Sequence, residues 1–504
     1  MNHLQDQRVL ILGLGASGLA MARWCAQCGA QVTVADTRTC PPQLATLQRE
    51  VPTAKFVGGA LEAALVQRDL TAVLKSPGLS PADINIILIA AKAYEISTSG
   101  ELGLFSEALK QLKAERGYDP KVVAITGTNG KTTVTSLTGQ LVARAGKTVA
   151  VAGNIGPTLL DTLAMHLAAD NLPEVWVLEL SSFQLDGKTT FQPTAGTVLN
   201  ITQDHLDWHG SMQAYVQAKT GVFGTTGLMV LNREDPVVMG MLPPPVKVKL
   251  QKPQQRAYLT FGGDMPQRPG DFGIETTNGM TWLVRALEAD ETLKKRKGEV
   301  PELHIQRLMP ADALRIRGRH NAINALSALA LASAAGCALG PMLYGLREYR
   351  GEPHRVQPVG CINGIEFFDD SKGTNVGATV AALQGLGADR KVVVILGGEG
   401  KGQDFSPLAE PVRRFVRAVV LIGRDASQIR SALQHTQVTL FDATDMMEAV
   451  AQANAQAQAG DAVLMSPACA SFDMFDNYEH RARAFVQAVE TLATDAGVML
   501  EGGL

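Results

Sequence analysis

The chain has 504 residues, of which 46% are hydrophobic and 19% charged, and its formal net charge is −3. This length corresponds to about three domains, and the near-neutral charge provides no basic surface for nucleic acid. No apolar run approaches the ~20 residues of a membrane span, and the polar N-terminus lacks the pattern of a targeting signal. With only six cysteines, we expect a reduced, cytoplasmic protein. We also expect a monomer.

The first predicted element is a strand over Val9–Leu12 that runs into a glycine turn. Gly13, Gly15 and Gly18 form the pattern G-x-G-x-x-G, a helix follows, and a second strand ends at Asp36. This order is the dinucleotide-binding fingerprint, in which the turn takes a pyrophosphate and the acid a ribose. Taken alone, the unit indicates an NAD-dependent oxidoreductase.

Two further features belong to this unit. Cys25 and Cys28 form a C-x-x-C pair inside the helix, but a zinc site normally has four ligands and no second pair is present. We therefore interpret both as core residues or incidental surface thiols. The polar stretch Leu112–Pro120 ends in proline and is typical of a connection between domains. We therefore place the N-terminal domain at residues 1–111.

The second unit opens with a strand, the sequence GTNGKTT and a helix. Glycines in such a loop allow the backbone to approach phosphates, and the amides at the helix start face the anion. Lys131 can reach the terminal phosphates of a nucleoside triphosphate, and the hydroxyl of Thr132 or Thr133 can ligate Mg²⁺. The longer G-x-x-x-x-G-K-[ST] pattern is not met, because Ile125 occupies the position of its first glycine. We predict that the loop binds ATP with Mg²⁺.

Two phosphate-binding turns in two domains predict two phosphorylated ligands. A dehydrogenase requires one dinucleotide and has no use for a GKTT loop, so the second motif weakens the NAD interpretation of the first. A non-catalytic nucleotide-binding module is a further alternative, which the number of separate site motifs downstream disfavours.

Candidate metal ligands follow two further strands of this unit. Glu179 ends the strand EVWVLEL, and the sequence DHLDWH offers Asp204, His205, Asp207 and His209. These four could form a zinc site, but an ATP loop requires Mg²⁺, which prefers oxygen ligands, phosphate and water. We therefore favour Glu179 and His205 as contributors to magnesium sites and interpret Asp207 and His209 as local structure.

Beyond a proline run the pattern becomes irregular. The region Val246–Met309 combines short strands with the charged stretch EADETLKKRKGEVPE, whose basic cluster is flanked by acids. We interpret this region as a peripheral excursion with a solvated loop rather than a nucleic-acid patch. A helix over HNAINALSALALASAAG follows, and the linker YRGEPHRVQPV closes the central domain, which we place at residues 112–350.

The third unit, residues 351–504, again alternates strands and helices. Asp370, Lys372 and Thr374 follow one strand, Lys401 lies in a glycine-rich turn, and Ser471 follows the last strand. Ligands of α/β domains bind at the carboxyl ends of the strands, so these loops predict an anion-binding cleft. The whole pattern predicts an α/β fold with mostly parallel sheets. Its parts are a Rossmann-like N-terminal domain, a P-loop ATPase-like central domain and a Rossmann-like C-terminal domain.

Taken together, these motifs resemble the Mur ligase family along the whole chain. The resemblance rests on thirteen sequences in this order: GLGASG, ADTR, KSPG, GTNGKTT, GNIG, LELSSFQL, DHLDWH, QAKTGVF, GRHN, PHRVQ, DDSKGTN, GGEGKGQDFS and SPACASFD. The forms SSFQL, DSK-x-TN and SPACASFD are similar to the D-glutamate-adding branch. A folylpolyglutamate-type enzyme or a sister Mur ligase is the main alternative.

The resemblance implies an ATP-dependent ligase of peptidoglycan synthesis. ATP would phosphorylate the terminal carboxylate of UDP-N-acetylmuramoyl-L-alanine, and the amine of D-glutamate would attack the acyl phosphate. A tetrahedral intermediate would then collapse to the amide, ADP and phosphate. Lys131 and two Mg²⁺ ions would neutralise the anions that meet during phosphoryl transfer. Lys219, which by itself is typical of a surface helix, would be carbamylated by CO₂ and help to hold the second Mg²⁺.

The resemblance also assigns residues to ligands, and domain closure around the substrates is expected. The catalytic residues would be Lys131, His205, Lys219 and Lys372. The metal ligands would be Thr132, Glu179, His205 and carbamylated Lys219. ATP would be bound by Gly127, Thr128, Asn129, Gly130, Lys131, Thr132, Thr133, Asn321, His354, Arg355 and Asp370. The UDP-sugar would be bound by Gly15, Ser17, Gly18, Asp36, Thr37, Arg38, Ser76, Asn154 and Gln184. D-Glutamate would be bound by Lys401, Thr374, Ser471 and Tyr478.

Three features depart from the family pattern. Gly373 stands where alanine is common, and Tyr478 replaces a phenylalanine. The region Val246–Met309 is longer than we expect for the family. The first two changes are small and should leave the neighbouring site residues in place.

Overall fold

The computed structural model describes residues 4–187, 190–246, 253–289, 302–316, 318–388 and 390–500. Within these residues, three α/β layers built on mostly parallel sheets follow one another along the chain, and a small antiparallel sheet is added to the second. The predicted α/β class is therefore confirmed. No helix in these ranges is both long and apolar enough to cross a membrane.

The first sheet contains five parallel strands. They are β1 (Arg8–Leu12), β2 (Gln31–Asp36), β3 (Lys55–Gly58), β4 (Ala72–Lys75) and β5 (Ser97–Gly100), in the spatial order β3-β2-β1-β4-β5. The accompanying helices are α1 (Ala16–Gln27), α2 (Leu44–Glu50), α3 (Pro81–Ala93) and α4 (Glu101–Arg116). Cys25 and Cys28 are buried in the core of this layer, which decides between the two interpretations in favour of core packing, and burial raises the pKa of their thiols to about 12 and about 11.

The connection predicted over Leu112–Pro120 is shorter than expected. Helix α4 continues to Arg116, because Phe105 and Leu112 extend an apolar face that is fully buried. Gly117 ends the helix with a left-handed φ of 68°. The boundary placed after residue 111 therefore falls inside a helix.

The second sheet contains six parallel strands. They are β6 (Lys121–Thr126), β7 (Val149–Gly153), β8 (Val175–Glu179), β9 (Ala195–Val198), β10 (Leu228–Asn232) and β11 (Tyr258–Phe261), in the order β11-β10-β9-β6-β8-β7. The helices are α5 (Lys131–Arg144), α6 (Leu159–Ala168), α7 (Ser182–Leu185), α8 (Leu206–His209), α9 (Met212–Thr220), α10 (Pro236–Met239), α11 (Arg319–Ala334) and α12 (Leu339–Glu348). The GTNGKTT loop follows β6, between β8 and β9, in the crevice where α/β sheets bind ligands.

The irregular region after the proline run is only partly peripheral. Strand β11 pairs in parallel with β10 and so belongs to the central sheet. The excursion proper is an antiparallel sheet of β12 (Phe272–Thr277), β13 (Met280–Glu288) and β14 (Leu303–Pro310). Most of the predicted solvated loop, residues 290–301, lies outside the described residues.

The last sheet contains β15 (Gln357–Ile362), β16 (Ile365–Asp369), β17 (Val392–Gly397), β18 (Val416–Ile422), β19 (Thr439–Asp442) and β20 (Ala462–Met465). Their order is β15-β16-β20-β17-β18-β19, and only the β15–β16 pair is antiparallel. The helices are α13 (Val376–Leu386), α14 (Ala409–Phe415), α15 (Ala426–Leu433), α16 (Met446–Gln456) and α17 (Tyr478–Asp495). The loops after β16, β17 and β20 therefore open at one edge.

Candidate active site

The GTNGKTT loop passes from β6 into α5 through two glycines with positive φ, Gly127 at 150° and Gly130 at 82°. A Cβ on Gly127 would lie 3.0 Å from Leu199, so the loop needs glycine there for space as well as for backbone conformation. The Lys131 Nζ donates to the carbonyl oxygens of Gly127 and Thr128, each at 2.9 Å. The lysine amine therefore lies directly over the loop that would cradle phosphates.

Neighbouring strands and helices hold the loop in place. The Asn129 amide nitrogen donates to Asn200 Oδ1 at 2.8 Å, and Asn200 Nδ2 donates back to the Asn129 carbonyl at 3.1 Å. The hydroxyls of Thr128 and Tyr215 are 3.0 Å apart. Sequence analysis missed Asn200 and Tyr215, although both follow motifs that it identified.

Lys219 is buried although it lies on a helix that sequence pattern alone places at the surface. Its Nζ donates to the Gly127 carbonyl at 2.9 Å and to Thr126 Oγ1 at 3.3 Å. Burial, and next the positive charge of Lys131, hold the pKa of Lys219 well below its usual value, although Asp204 and other acidic groups oppose the shift. Two lysine amines thus share one carbonyl oxygen at the base of the loop.

Glu179, at the end of β8, is fully buried. Its Oε1 accepts a hydrogen bond from Asn154 Nδ2 at 3.0 Å. Its Oε2 is also buried, and it has no hydrogen-bond partner among the described residues. A buried carboxylate oxygen without a partner is costly unless a ligand completes it, so this oxygen is suited to a cation.

His205 is the N-cap of α8 and has a left-handed φ of 52°, and its ring packs edge-on against Phe183 with ring centroids 4.7 Å apart. Burial lowers the pKa of His205, an effect that Asp204 opposes and the charge of Lys131 reinforces. The imidazole is therefore favoured in the neutral form that ligates metals. His209 Nε2 lies 2.9 Å from Ser182 Oγ, and burial lowers its pKa to about 4.

The zinc interpretation of the DHLDWH sequence has no structural support. Within the described ranges no three His, Cys, Asp or Glu side chains gather as a set of metal ligands. The polar groups near Glu179 and His205 include the Asp204 carboxylate, the Asn154 amide and two lysines. This chemistry resembles a phosphate and magnesium site more than a closed zinc site.

The C-terminal domain contacts the GTNGKTT loop directly. The Arg355 guanidinium donates to Thr132 Oγ1 at 2.8 Å, and Asn375 Nδ2 donates to Asn129 Oδ1 at 2.9 Å. Beside these contacts is a cleft of about 930 Å³ whose lining includes Asn321 and Arg355. An adjoining cavity of about 130 Å³ is lined by the residues Asn129, Gly130, Thr133, Asn321, Arg355 and Asp370, among others. The structure therefore brings the predicted ATP residues of two domains together.

Asp370 is buried at the end of β16, where it accepts hydrogen bonds from Ser466 Oγ at 2.6 Å and from the Val356 amide at 3.2 Å. Burial raises the pKa of Asp370 to about 7. Its neighbour Asp369 is hydrogen-bonded to His354, with 2.6 Å between Asp369 Oδ2 and His354 Nδ1. Sequence analysis missed Asp369, since only the fold shows which of two adjacent acids faces the histidine.

Lys372 lies near Tyr478, with its Nζ 5.1 Å from the centre of the tyrosine ring. Burial lowers the pKa of Lys372, and the charge of Arg355 adds to this effect. The loop that carries Lys372 is joined to the loop after β20 by a hydrogen bond from the Ala468 amide to the Gly373 carbonyl at 3.0 Å.

The other two predicted loops of this domain are also joined. The amide and carbonyl groups of Glu399 and Ala470 exchange two hydrogen bonds, at 3.0 and 2.9 Å, which ties the turn of Lys401 to the loop of Ser471. Lys401 has a left-handed φ of 50°, and its Nζ lies 6.0 Å from the Phe472 ring. Residues Thr374, Lys401, Ser471 and Tyr478 thus belong to one connected edge of the sheet.

A buried arginine that sequence analysis missed holds two of these loops from behind. Arg481, on α17, is 1% exposed. It donates to the Ser371 carbonyl at 2.8 Å and to the Cys469 carbonyl at 3.1 Å. Burial lowers the pKa of its guanidinium to about 10. No local pattern distinguishes it from an exposed helix arginine.

The first glycine turn is held by its own chain. Gly13 has a positive φ of 83°, and its carbonyl accepts from Ser76 Oγ at 2.9 Å. A Cβ on Gly18 would lie 2.0 Å from the Gly13 carbonyl oxygen, so only glycine permits this close approach. The Leu14 amide donates to Asp36 Oδ2 at 2.7 Å.

Asp36 also accepts hydrogen bonds from the Arg38 side chain. Arg38 Nε and Nη2 donate to its two oxygens, each at 2.8 Å. The hydrogen bond from the Arg38 side chain is the main reason that the pKa of Asp36 is lowered to about 2. Thr37 between them is exposed, and Gly15 and Ser17 lie at the start of α1.

A cavity of about 200 Å³ lies between the first and second layers. Its lining includes Lys75, Gln184 and Asp186, and Lys75 Nζ forms an ion pair with Asp186 at 2.8 Å. Gln184 Oε1 accepts from the Ser181 amide at 3.0 Å and so caps α7. Of the residues predicted to bind the UDP-sugar, Gln184 lines this cavity.

Comparison with family models matches three consecutive parts of the chain. Residues 7–98 match the MurD-like N-terminal domain of Mur ligases, residues 125–332 the Mur ligase middle domain, and residues 354–469 the Mur ligase glutamate ligase domain. Together they span most of the sequence, and none of them is an oxidoreductase domain. The NAD interpretation of the first turn is therefore wrong.

Curated relatives and solved structures agree with these matches. UDP-N-acetylmuramoylalanine--D-glutamate ligase of Albidiferax ferrireducens is 74% identical, covering 100% of this chain and 99% of that protein. The enzyme of the same name from a Polaromonas species is 60% identical, covering 99% and 100%. Two Thermotoga maritima structures share the fold. UDP-N-acetylmuramate-alanine ligase has a TM-score of 0.54 at 19% identity, covering 97% of this chain and 100% of that one. The MurF ligase structure has a TM-score of 0.56 at 14% sequence identity, covering 97% of this chain and 97% of that one. The chain belongs to the Mur ligase family.

Proposed function

We propose that the protein joins D-glutamate to UDP-N-acetylmuramoyl-L-alanine with hydrolysis of ATP to ADP and phosphate, in the cytoplasmic part of peptidoglycan synthesis. The observation that carries this proposal is the convergence of Lys131, Lys219 and Glu179 beneath a phosphate loop that residues of the C-terminal domain contact directly. The two relatives most fully described above carry the name of this activity. The monomeric state and the domain division 1–111, 112–350 and 351–504 are part of the same proposal.

The residues present fit two Mg²⁺ ions beside ATP. The unpartnered Oε2 of Glu179 and the neutral imidazole of His205 are suitable ligands, and the Thr132 hydroxyl lies at the phosphate end of the loop. When bound, Mg²⁺ would neutralise phosphate charge during phosphoryl transfer. We assign the ions to Thr132, Glu179, His205 and a modified Lys219.

The environment of Lys219 favours its carbamylation. Only a neutral amine reacts with CO₂, and both burial and the neighbouring charge of Lys131 favour the neutral form. The nitrogen forms a bond to the carbon of CO₂ and loses one proton, which leaves an anionic carbamate. This change would place a negative charge next to Lys131 and so remove the repulsion between two amines.

In the first step a carboxylate oxygen of the sugar substrate would attack the terminal phosphorus of ATP, and the bond between that phosphorus and ADP would break. Lys131 and the loop amides would hold the phosphates, with Asn321 at adenine, His354 and Arg355 at the nucleotide and Asp370 at the ribose. Lys372 would lie beside the transferred group. Two anions must be brought together here, so preorganised cations contribute most of the effect.

In the second step the D-glutamate amine would attack the acyl carbon, lose a proton and expel phosphate as the carbon–oxygen bond breaks. Lys401 and Thr374 would hold one carboxylate, and Ser471 with the backbone at Tyr478 would hold the other. Asn154 would contact the muramoyl group. Orientation of two reactants in this way contributes up to about 7–11 kcal/mol in favourable cases.

Phosphate release from ATP tests this assignment. The purified protein is given UDP-N-acetylmuramoyl-L-alanine with D-glutamate, L-glutamate, L-lysine or meso-diaminopimelate in separate reactions. We expect release with D-glutamate alone among the four. Faster release with another amino acid would identify a sister activity, and release that does not need the UDP-sugar would indicate a different ligase class.

A further inference from the structure

The first turn of α13 contacts both of the loops to which the proposed function assigns ligands. Asn375 is the buried N-cap of this helix, and its Oδ1 accepts from the Ala378 amide at 2.9 Å. That bond fixes the orientation of the side-chain amide, so its Nδ2 points away from the helix. There it donates to Asn129 Oδ1 at 2.9 Å, across 246 residues of sequence.

The partner of this bond is itself held rigidly. The backbone of Asn129 is fixed to Asn200 by two hydrogen bonds, at 2.8 and 3.1 Å. The Asn129 side chain is therefore the part of the GTNGKTT loop that faces the C-terminal domain. A displacement of Asn375 would act on the phosphate loop through this one bond.

The surfaces around the bond fit closely. A Cβ on Gly377 would lie 3.0 Å from Asn129 Nδ2 and 3.0 Å from Thr202 Oγ1. The helix start therefore approaches the phosphate loop as near as a residue without a side chain allows. Glycine costs about 1 kcal/mol in a helix interior relative to alanine, so its presence here is explained by the contact and not by the helix.

The same helix turn is tied to the Lys401 turn. The Val376 amide donates to Gln403 Oε1 at 3.0 Å, and Gln403 Nε2 donates to the Gly400 carbonyl at 2.9 Å. Thr374 directly precedes Asn375. One turn of helix thus connects the loop proposed for ATP with both residues proposed for one D-glutamate carboxylate.

We propose that Asn375 is a positioning residue that couples the ATP loop to the D-glutamate site through its bond to Asn129. This inference rests on the proposed function. Its consequence is that the bond matters for the two ligands that meet at this junction, ATP and D-glutamate, and not for the UDP-sugar, whose proposed residues lie elsewhere.

Asn375→Ser tests the inference, because serine caps helices as well as asparagine does but is too short to reach Asn129. We expect kcat/KM for D-glutamate to fall about three- to tenfold through both a higher KM and a lower kcat, the usual range for one neutral hydrogen bond. The KM for the UDP-sugar should stay within about twofold, and the melting temperature should fall by no more than a few degrees, the effect of one lost hydrogen bond. Asp445→Ser, which replaces the cap of the distant helix α16, is the matched control and should leave the kinetics unchanged.

Two further variants separate positioning from folding. Asn375→Ser placed in an Asn129→Ala background should add no further loss, since the bond is already gone. Gly377→Ala should stabilise the isolated helix yet lower kcat. Unchanged kinetics in Asn375→Ser, an equal loss in Asp445→Ser, or a full additional loss in the double variant would each overturn the inference. Failure of the proposed function is recognised separately, because it is decided by the substrate preference of the unaltered protein.

Discussion

The two glycine turns of this protein share a strand-turn-helix pattern and differ in what surrounds them. In the first turn, Asp36 is paired with the Leu14 amide and with Arg38, and Ser76 is paired with the Gly13 carbonyl. Around the second turn, the buried charged groups are not fully paired. Two lysine amines share the Gly127 carbonyl, and one oxygen of Glu179 has no partner among the described residues.

This difference separates a binding surface from a reaction centre. A buried charge without a partner destabilises the fold, so it persists where a ligand completes it. The first turn is complete in itself and offers shape and amides to a ligand. The second turn lacks an anion beside its two lysine amines and a cation beside the Glu179 carboxylate. Phosphoryl transfer between two anions requires this arrangement.

Lys131→Ala should have the largest effect, because it removes the cation that neutralises the phosphates. We expect phosphate release to fall by about a thousandfold or more, while calorimetric binding of the UDP-sugar stays largely unchanged. Lys147→Ala, at a partly exposed ion pair with Glu174, serves as the control. Loss of UDP-sugar binding together with turnover would show that the two turns are not independent.

Lys219→Arg should follow, with a loss of about a hundredfold or more, since a guanidinium cannot be carbamylated. Carbon-13 NMR of the unaltered protein under labelled CO₂ should show a carbamate signal that the variant lacks. Lys110→Arg, at an exposed position of α4, should retain both activity and the signal. Activity near that of the unaltered protein in Lys219→Arg would mean that the buried amine has only a structural role.

Local sequence patterns predicted much of the fold and of the candidate site, but they could not predict contacts between distant segments. The two turns and the strand-end loops could be identified because strand, glycine and helix signals are local. The connection between the first two domains was predicted to begin too early because a polar sequence hid the buried Leu112. The roles of Asn375 and Arg481 could not be read at all, since their partners lie 246 and 110 residues away.

Asp370→Asn tests the surroundings of the second turn through the free energy of unfolding. Asp370 has a pKa of about 7 in the fold and about 3.9 when unfolded. The native state therefore binds more protons between these values, and stability falls as pH rises from 4 to 7. The pKa shift corresponds to a destabilisation of about 4 kcal/mol by the charged carboxylate. Asparagine removes this destabilisation but loses a hydrogen bond worth about 1 kcal/mol. We expect the variant to be about 3 kcal/mol more stable at pH 8 and no more stable at pH 4, by urea denaturation. Equal effects at both pH values would contradict this assignment.

Asp36→Asn should have the smallest effect and the opposite sign. The pKa of Asp36 is about 2 in the fold, below the unfolded value, so its contribution to stability is complete above pH 4 and is lost as pH falls towards 2. Asparagine still accepts from Leu14 but loses the pair with Arg38, whose side chain is half exposed and screened by solvent. We expect a loss of about 1–2 kcal/mol at pH 7 that shrinks between about pH 4 and 2, with ATP turnover at saturating UDP-sugar nearly unchanged. If turnover collapsed while stability held, Asp36 would be an unbalanced group like Glu179, and the two turns would be alike after all.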